Sequence, residues 1–241
     1  NFPFRIDLLK KICKKKKIII IEDAAEVLGQ KIFNKNCGSF GDISTFSFYA
    51  NKQITTGEGG MITTNNKTFY QKMKSLRNLS FGKINRFNHD DIGWNYRITN
   101  IQATLGISQL SRIKDIVKNR HYIGLQYYNK LKKNKNIFIP EPKKLFAKNI
   151  YWVVAILITN KKINLDAKKV SQKLNKLGIG TRPFFWPMHR QKILKNLKLQ
   201  NSKLFKNSEY ISKYGFYLPS SLSLKTSEIK YICEKVNLIL K

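Results

Sequence analysis

Acidic residues are scarce in this chain of 241 residues, with 14 Asp and Glu against 46 Lys and Arg and a formal net charge of +32. Such a balance would attract phosphate-rich partners, whether nucleic acid or a charged small molecule. Arginine-rich or aromatic-interleaved blocks are also lacking. The surplus is mostly lysine, scattered in runs such as Lys14 to Lys17, Lys132-Lys133 and Lys168-Lys169. With no nucleic-acid-binding module in view, a lysine bias on solvated faces is the expectation, and nucleic acid is not expected as a partner. Cysteine is rare too. Cys13, Cys37 and Cys233 lie far apart, which excludes a disulfide framework and paired zinc ligands and leads us to expect a reducing, cytoplasmic setting without a metal. Long apolar runs are missing. The longest, Trp152 to Ile158, is too short to cross a bilayer, and no segment has the order of a signal peptide, so no membrane partner is expected. What the chain does have is 42% hydrophobic and 12% aromatic residues, enough to build a core and too much for a disordered chain.

The pattern along the chain predicts an α/β protein. A helix is expected from Arg5 to Lys16, followed by the β-branched run Ile18 to Ile21. That run reads as a strand buried on both faces, as in a parallel sheet. Its carboxyl end delivers Glu22 and Asp23 to the edge where open α/β sheets place ligands. Ile43 to Tyr49 and Met61 to Thr64 read as further strands, the second preceded by the glycine turn Gly57-Glu58-Gly59-Gly60. From Asn100 to about Lys133, Ile101, Leu105, Leu110, Ile113, Val117 and Leu131 recur at three- and four-residue steps, predicting one long helix that bridges two domains. Beyond Pro140 and Pro142 a strand over 151–159, a helix over 166–177 stopped by Gly178 and a strand over 181–185 predict a small α+β unit, completed by the stretches from about Ser202 to Tyr214 and from Thr226 to Leu240.

Chemistry-bearing residues concentrate between Glu22 and Gly60. Asp23 closes a strand, and Lys52 follows a hydroxyl-rich strand with Ser47 five residues earlier. A carboxylate, an amine and a hydroxyl near a turn suit a phosphorylated aldehyde cofactor: the amine can form a Schiff base, the carboxylate can hold a ring nitrogen protonated, and the hydroxyl can bind phosphate. Taken singly, a strand-end Asp is more often a cap, and a lysine in this chain more often a surface group. His89 and His121 have no supporting motif. Phe184, Phe185 and Trp186 read as core or wall aromatics, and Glu58 as a turn residue.

The literal strings carry more weight. Ile21-Glu22-Asp23-Ala24-Ala25-Glu26, Gly38-Ser39-Phe40-Gly41-Asp42-Ile43, Ser47-Phe48-Tyr49-Ala50-Asn51-Lys52 and Thr56-Gly57-Glu58-Gly59-Gly60-Met61 resemble the DegT/DnrJ/StrS-type sugar aminotransferases, which are fold-type-I pyridoxal phosphate (PLP) enzymes. Gly93 to Ala103 resembles the same family's lead into its long helix. Thr181-Arg182-Pro183-Phe184-Phe185-Trp186-Pro187-Met188-His189 is similar to its perosamine-type members.

This resemblance implies an aspartate aminotransferase-like α/β fold: an incomplete large domain with a mostly parallel sheet over 1–125, and a small C-terminal α+β domain over 126–241. It implies that Lys52 joins the cofactor and shuttles the proton, that Asp23 pairs with the pyridinium nitrogen, that Glu26 lies near the ring and that Ser47 binds the phosphate. Asn95 would reach the phosphate of a neighbouring subunit, making a homodimer with shared sites, and Arg97 and His189 would lie on the substrate side. Asn95 could equally cap a helix. L-glutamate would be the amino donor and a nucleotide-linked 4-keto-6-deoxy sugar the acceptor, in the making of cell-surface polysaccharide such as O-antigen. Relatives that replace the lysine with His catalyse dehydration, and Lys52 argues against that branch.

Where the family carries a Gly-Thr-rich helix start for the phosphate, this chain begins just before its Asp strand. The resemblance therefore predicts that about the first third of such an enzyme is absent and that the polypeptide alone could be inactive. Two other readings stay open: a basic non-catalytic remnant that binds nucleic acid, and a dimerisation scaffold.

Overall fold

A computed structural model describes residues 2–197 and 204–241. Contacts divide the chain into two units. Unit I holds 2–117 and 145–150, and unit II holds 118–144 and 151–241. The sequence reading sets the division after residue 125; the contacts set it after Val117 and give 145–150 to unit I.

In unit I, helix α1 (Ile6–Lys16) ends where Lys17 turns left-handed at φ 53°, and the Ile18 N–H bonds back to the Cys13 carbonyl at 3.0 Å. Strands β1 (Ile21–Asp23), β2 (Ile43–Ser47) and β3 (Gly60–Thr64) form a sheet in the order β1-β2-β3. β1 runs parallel to β2, pairing Asp23 with Thr45, and β3 runs antiparallel to β2. The sheet described is thus half parallel and half antiparallel rather than mostly parallel, because β3 returns through the glycine turn directly beside β2. The isoleucine run also differs from expectation. Ile20 is buried, while Ile18, Ile19 and Ile21 are exposed, Ile21 at 68%. Among the described residues β1 has a hydrogen-bonded neighbour on one side only, and its side chains alternate outward, inward and outward from Ile21 to Asp23. α2 (Lys67–Arg77) follows, its N–H groups at Thr68 and Phe69 capped by the Asn66 side chain. A small apolar cluster of Ile32, Cys37 and Phe40 lies under the loop between β1 and β2.

The long helix is two helices, α3 (Asn100–Leu110) and α4 (Ile113–Leu131). At the joint the Arg112 N–H turns to the Gln109 carbonyl and the Asp115 N–H to that of Arg112, both at 3.0 Å, and the Ser111 hydroxyl takes the Ser108 carbonyl at 2.9 Å. These three-residue bonds tighten the turn and interrupt the regular ladder. Apolar spacing continues across the joint, so periodicity alone does not reveal it.

Unit II is built on an antiparallel sheet of β4 (Ile137–Phe138), β5 (Val154–Ile158), β6 (Arg182–Pro183) and β7 (Gly215–Leu218), in the order β6-β7-β5-β4. α5 (Ala167–Asn175) is capped by Asp166, which accepts from the Lys169 N–H, and the chain leaves it through Gly178 at φ +74°. With α6 (Lys206–Tyr214), α7 (Thr226–Ile239) and the C-terminal part of α4, it encloses a core of Tyr127, Leu131, Ile156, Leu174, Phe216 and Val236. Burial pushes the Cys233 thiol in this core up to about 12, so it stays protonated and inert. Gly124 of α4 faces the Tyr151 ring, and a β-carbon there would come within 2.2 Å of it. Gly124→Ala is expected to destabilise the protein by about 1–3 kcal/mol through overpacking, measurable as a lower urea midpoint.

Candidate active site

The two acids at the end of β1 go separate ways because side chains alternate along a strand. Glu22 points inward and is buried. Its carboxylate accepts from the N–H groups of Gly38 (2.5 Å), Phe40 (2.9 Å) and Gly41 (3.1 Å) and from the Ser44 hydroxyl (3.2 Å). The three N–H donors sit in the loop that leads into β2 and Ser44 lies in β2 itself, so Glu22 ties the loop and β2 to β1. Asp42 repeats the device, accepting from the Ile20 N–H at 2.8 Å. Gly38, at φ +86°, must be glycine, since a β-carbon would meet the Phe46 ring at 2.1 Å. Beside this cluster, burial and then the Glu22 charge push the Cys37 thiol up to about 12.

Asp23 takes the other face. Its Oδ1 accepts from the Ala25 N–H at 3.0 Å, and the residue is exposed at the carboxyl end of the sheet. One strand along, Ser47 closes β2, and its hydroxyl oxygen accepts from the Tyr49 N–H at 3.3 Å. The Lys52 N–H then bonds to the Tyr49 carbonyl, and its side chain folds in until only a tenth of it is exposed. Lys52 Nζ lies 3.1 Å from Glu26 Oε1, and the neighbouring Gln53 amide donates to the Glu26 carbonyl at 2.7 Å. The loops that follow two parallel strands are thereby clamped to each other, with the amine at the clamp.

α3 holds the far side of the Lys52 loop. Gln109 bonds Thr55 twice, its oxygen accepting from the Thr55 N–H (3.1 Å) and its amide donating to the Thr55 carbonyl (2.7 Å). Two turns earlier Gln102 donates to the Glu58 carbonyl at 3.2 Å and completes a capping box with Thr99. A spacing of seven puts both glutamines on one helical face, which is the sequence signal for this brace; the sequence reading singles out neither, nor Gln53. Gln109→Ala is expected to cost about 1–2 kcal/mol and to speed hydrogen exchange at Thr55 selectively.

Of the residues singled out from sequence, Lys52 and Glu26 are in contact, and Asp23 and Ser47 end adjacent strands. Glu26, expected near a cofactor ring, holds the lysine amine in this structure. Asn95 and Arg97 form a pair of their own, Arg97 Nε donating to Asn95 Oδ1 at 2.8 Å, and both are exposed. Thr99, not Asn95, caps α3. Arg97 lines an apolar groove of about 810 Å³ with Met61, Tyr70, Trp94 and Tyr96. His189 belongs to unit II, where it meets Glu209. Among the described residues no three His, Cys, Asp or Glu side chains gather as metal ligands.

The family model described as the DegT/DnrJ/EryC1/StrS aminotransferase family matches residues 2–237. The chain belongs to that family. GDP-perosamine synthase of Escherichia coli O157:H7 is 36% identical over 238 residues, covering 98% of this chain and 62% of that protein. GDP-perosamine synthase of Vibrio cholerae is 33% identical over 228 residues, covering 95% and 61%. Among solved structures, Helicobacter pylori PseC, an aminotransferase involved in the biosynthesis of pseudoaminic acid, superposes with a TM-score of 0.90 at 28% identity, covering 99% of this chain and 64% of its own. The fold is therefore that of the DegT/DnrJ/EryC1/StrS aminotransferases, and the chain spans a little over three fifths of the relatives it matches.

Proposed function

We propose that this chain carries the cofactor-bearing site of a PLP-dependent nucleotide-sugar aminotransferase. It would move an amino group from L-glutamate to a nucleotide-linked 4-keto-6-deoxy sugar, with a GDP-linked, perosamine-type product. The clamp of Lys52 at the ends of two parallel strands, with Asp23 and Ser47 beside it, carries this reading. The donor set fits the cofactor. Lys52 offers an amine withdrawn from bulk water, and Asp23 an exposed carboxylate for a protonated ring nitrogen. The Ser47 oxygen already accepts from a backbone N–H, which leaves its own proton to donate to a phosphate.

When bound, PLP supplies an aldehyde and an electron-accepting ring. The chain's own residues supply the rest. Asp23 keeps the ring nitrogen charged, as any close opposite charge does. Lys52 Nζ carries the proton to and from the reacting carbon, with the Glu26 carboxylate as its resting partner. Asn95, Arg97 and His189 serve the phosphate of a second copy and the sugar substrate, in a homodimer with shared sites. Unit I is the cofactor domain and unit II the small C-terminal domain. The three free, buried cysteines suit a cytoplasmic enzyme supplying sugar for O-antigen-type polysaccharide.

The test is spectroscopic. L-glutamate should bleach the visible absorbance of the PLP-loaded protein, and a GDP-linked 4-keto-6-deoxy hexose should restore it. A spectrum that neither compound alters would refute the reading.

A further inference from the structure

Two loops of unit I meet at Glu26. Glu26 lies in the turn after β1, three residues beyond Asp23, and Lys52 and Gln53 lie in the loop after β2. Lys52 Nζ stands 3.1 Å from Glu26 Oε1, while the Gln53 amide donates to the Glu26 backbone carbonyl at 2.7 Å. These two contacts fare differently in the proposed reaction. Nζ has to leave the carboxylate, lose its extra proton and bond an aldehyde carbon with release of water. Nothing in that step touches the Gln53 bond. Gln53 is only 4% exposed, and its Oε1 meets no donor among the described residues, so the donor end ties the side chain. Ile54, next in the chain, is buried as well and pins the same stretch. A lysine stem is a flexible four-carbon arm. Once Nζ leaves Glu26, its reach is therefore set by where the Lys52 backbone stands relative to β1.

We propose that Gln53 is a positioning residue for Lys52. By holding the Glu26 carbonyl it keeps the Lys52 loop at a fixed separation from the strand end that carries Asp23. Amine and carboxylate can then grip opposite ends of one cofactor ring. The inference rests on the PLP reading for the ring and on unit I geometry for the clamp. Packing alone is a poorer account of this residue. A side chain that brings in a buried oxygen without a protein donor costs stability that an apolar one of the same length would not. What the amide adds is a loop-to-loop bond that the reaction leaves intact.

Gln53→Met tests this, because methionine keeps the length of the side chain and removes the donor. Two rates are read at Lys52 of the full chain by peptide mass spectrometry. One is reductive methylation by formaldehyde in the cofactor-free protein, and the other is trapping of PLP by borohydride. In Gln53→Met methylation should rise several-fold, since a small aldehyde needs only access and the Lys52 side chain is normally a tenth exposed. Trapping of PLP should fall roughly ten- to a hundredfold, the effect of a displacement of about 1 Å. The urea midpoint should stay near the wild type's. Gln53→Asn, with the donor on a shorter arm, should recover part of both changes. Gly124→Ala, which loosens unit II instead, should leave both Lys52 rates as they are. PLP trapping by Gln53→Met at the wild-type rate, or equal slowing in Gly124→Ala, would overturn the positioning role. A wild-type chain in which Lys52 takes formaldehyde but no PLP would refute the PLP reading itself, and the inference with it.

Discussion

Lys52→Ala is expected to remove the cofactor absorbance altogether and to lower amination by at least about a thousandfold, since a single positioned proton-transfer group is worth roughly 10²–10⁴ in rate and, on the proposed reading, this one would also make the covalent attachment. The geometry states why no other lysine can substitute. Lys52 is drawn in beside Glu26 by a turn that begins at the Tyr49 carbonyl, whereas Lys14 to Lys17 are exposed at the end of α1. Lys52→Arg should be nearly as damaging, because a guanidinium does not deprotonate. Single-turnover amination with absorbance detection measures both. A Lys52→Ala protein that retained more than about a tenth of the wild-type rate would show that the clamp is only structural.

Glu22→Ala should have the largest effect on stability, about 4 kcal/mol. Removing the carboxylate strands the N–H groups of Gly38, Phe40 and Gly41 together with the Ser44 hydroxyl, and each buried donor left unpaired costs about 1–3 kcal/mol before relaxation and water entry offset part of it. Glu22→Gln keeps one accepting oxygen but turns an amide toward backbone N–H groups, so about half that loss is expected. Urea unfolding followed by circular dichroism reads both values. A change under about 1 kcal/mol for the alanine variant would mean that the loop finds other partners. Because Glu22 ties that loop to β1, Glu22→Ala should also disturb the strand ends that carry Asp23 and Ser47 and, on the proposed reading, weaken PLP binding there.

Glu22 and Asp23 show what the sequence can reveal and where it stops. A β-branched run followed by two acids predicts a strand end with a ligand-side carboxylate, and alternation says that only one of the two can face outward. Which one goes in depends on donors 16 to 22 residues away, at Gly38, Phe40, Gly41 and Ser44, and no local pattern encodes that. The same limit explains Ile18 to Ile21. Apolar composition announces a strand, but whether both of its faces are buried depends on what packs over the sheet, and Ile19 and Ile21 are exposed. The joint at Ser111 and Arg112 escapes periodicity because Ile113 resumes the apolar spacing at once, and its cause is a hydroxyl and three-residue bonds. Lys52 is legible through the strings around it, whereas its pairing with Glu26, the Gln53 bond to the Glu26 carbonyl and the Gln109 brace are fixed only when the loops meet. Elements with local causes, such as the Asp166 cap and the Gly178 stop of α5, follow directly from their residues.

Reductive trapping tests the central claim most directly. PLP at stoichiometric concentration is reduced onto the protein with borohydride, and the modified lysine is located by peptide mass spectrometry. The clamp predicts one pyridoxyl group, on Lys52, lost when Asp23 is replaced by Ala. Label scattered over exposed lysines such as Lys14 to Lys17, with Lys52 unmodified, would contradict it.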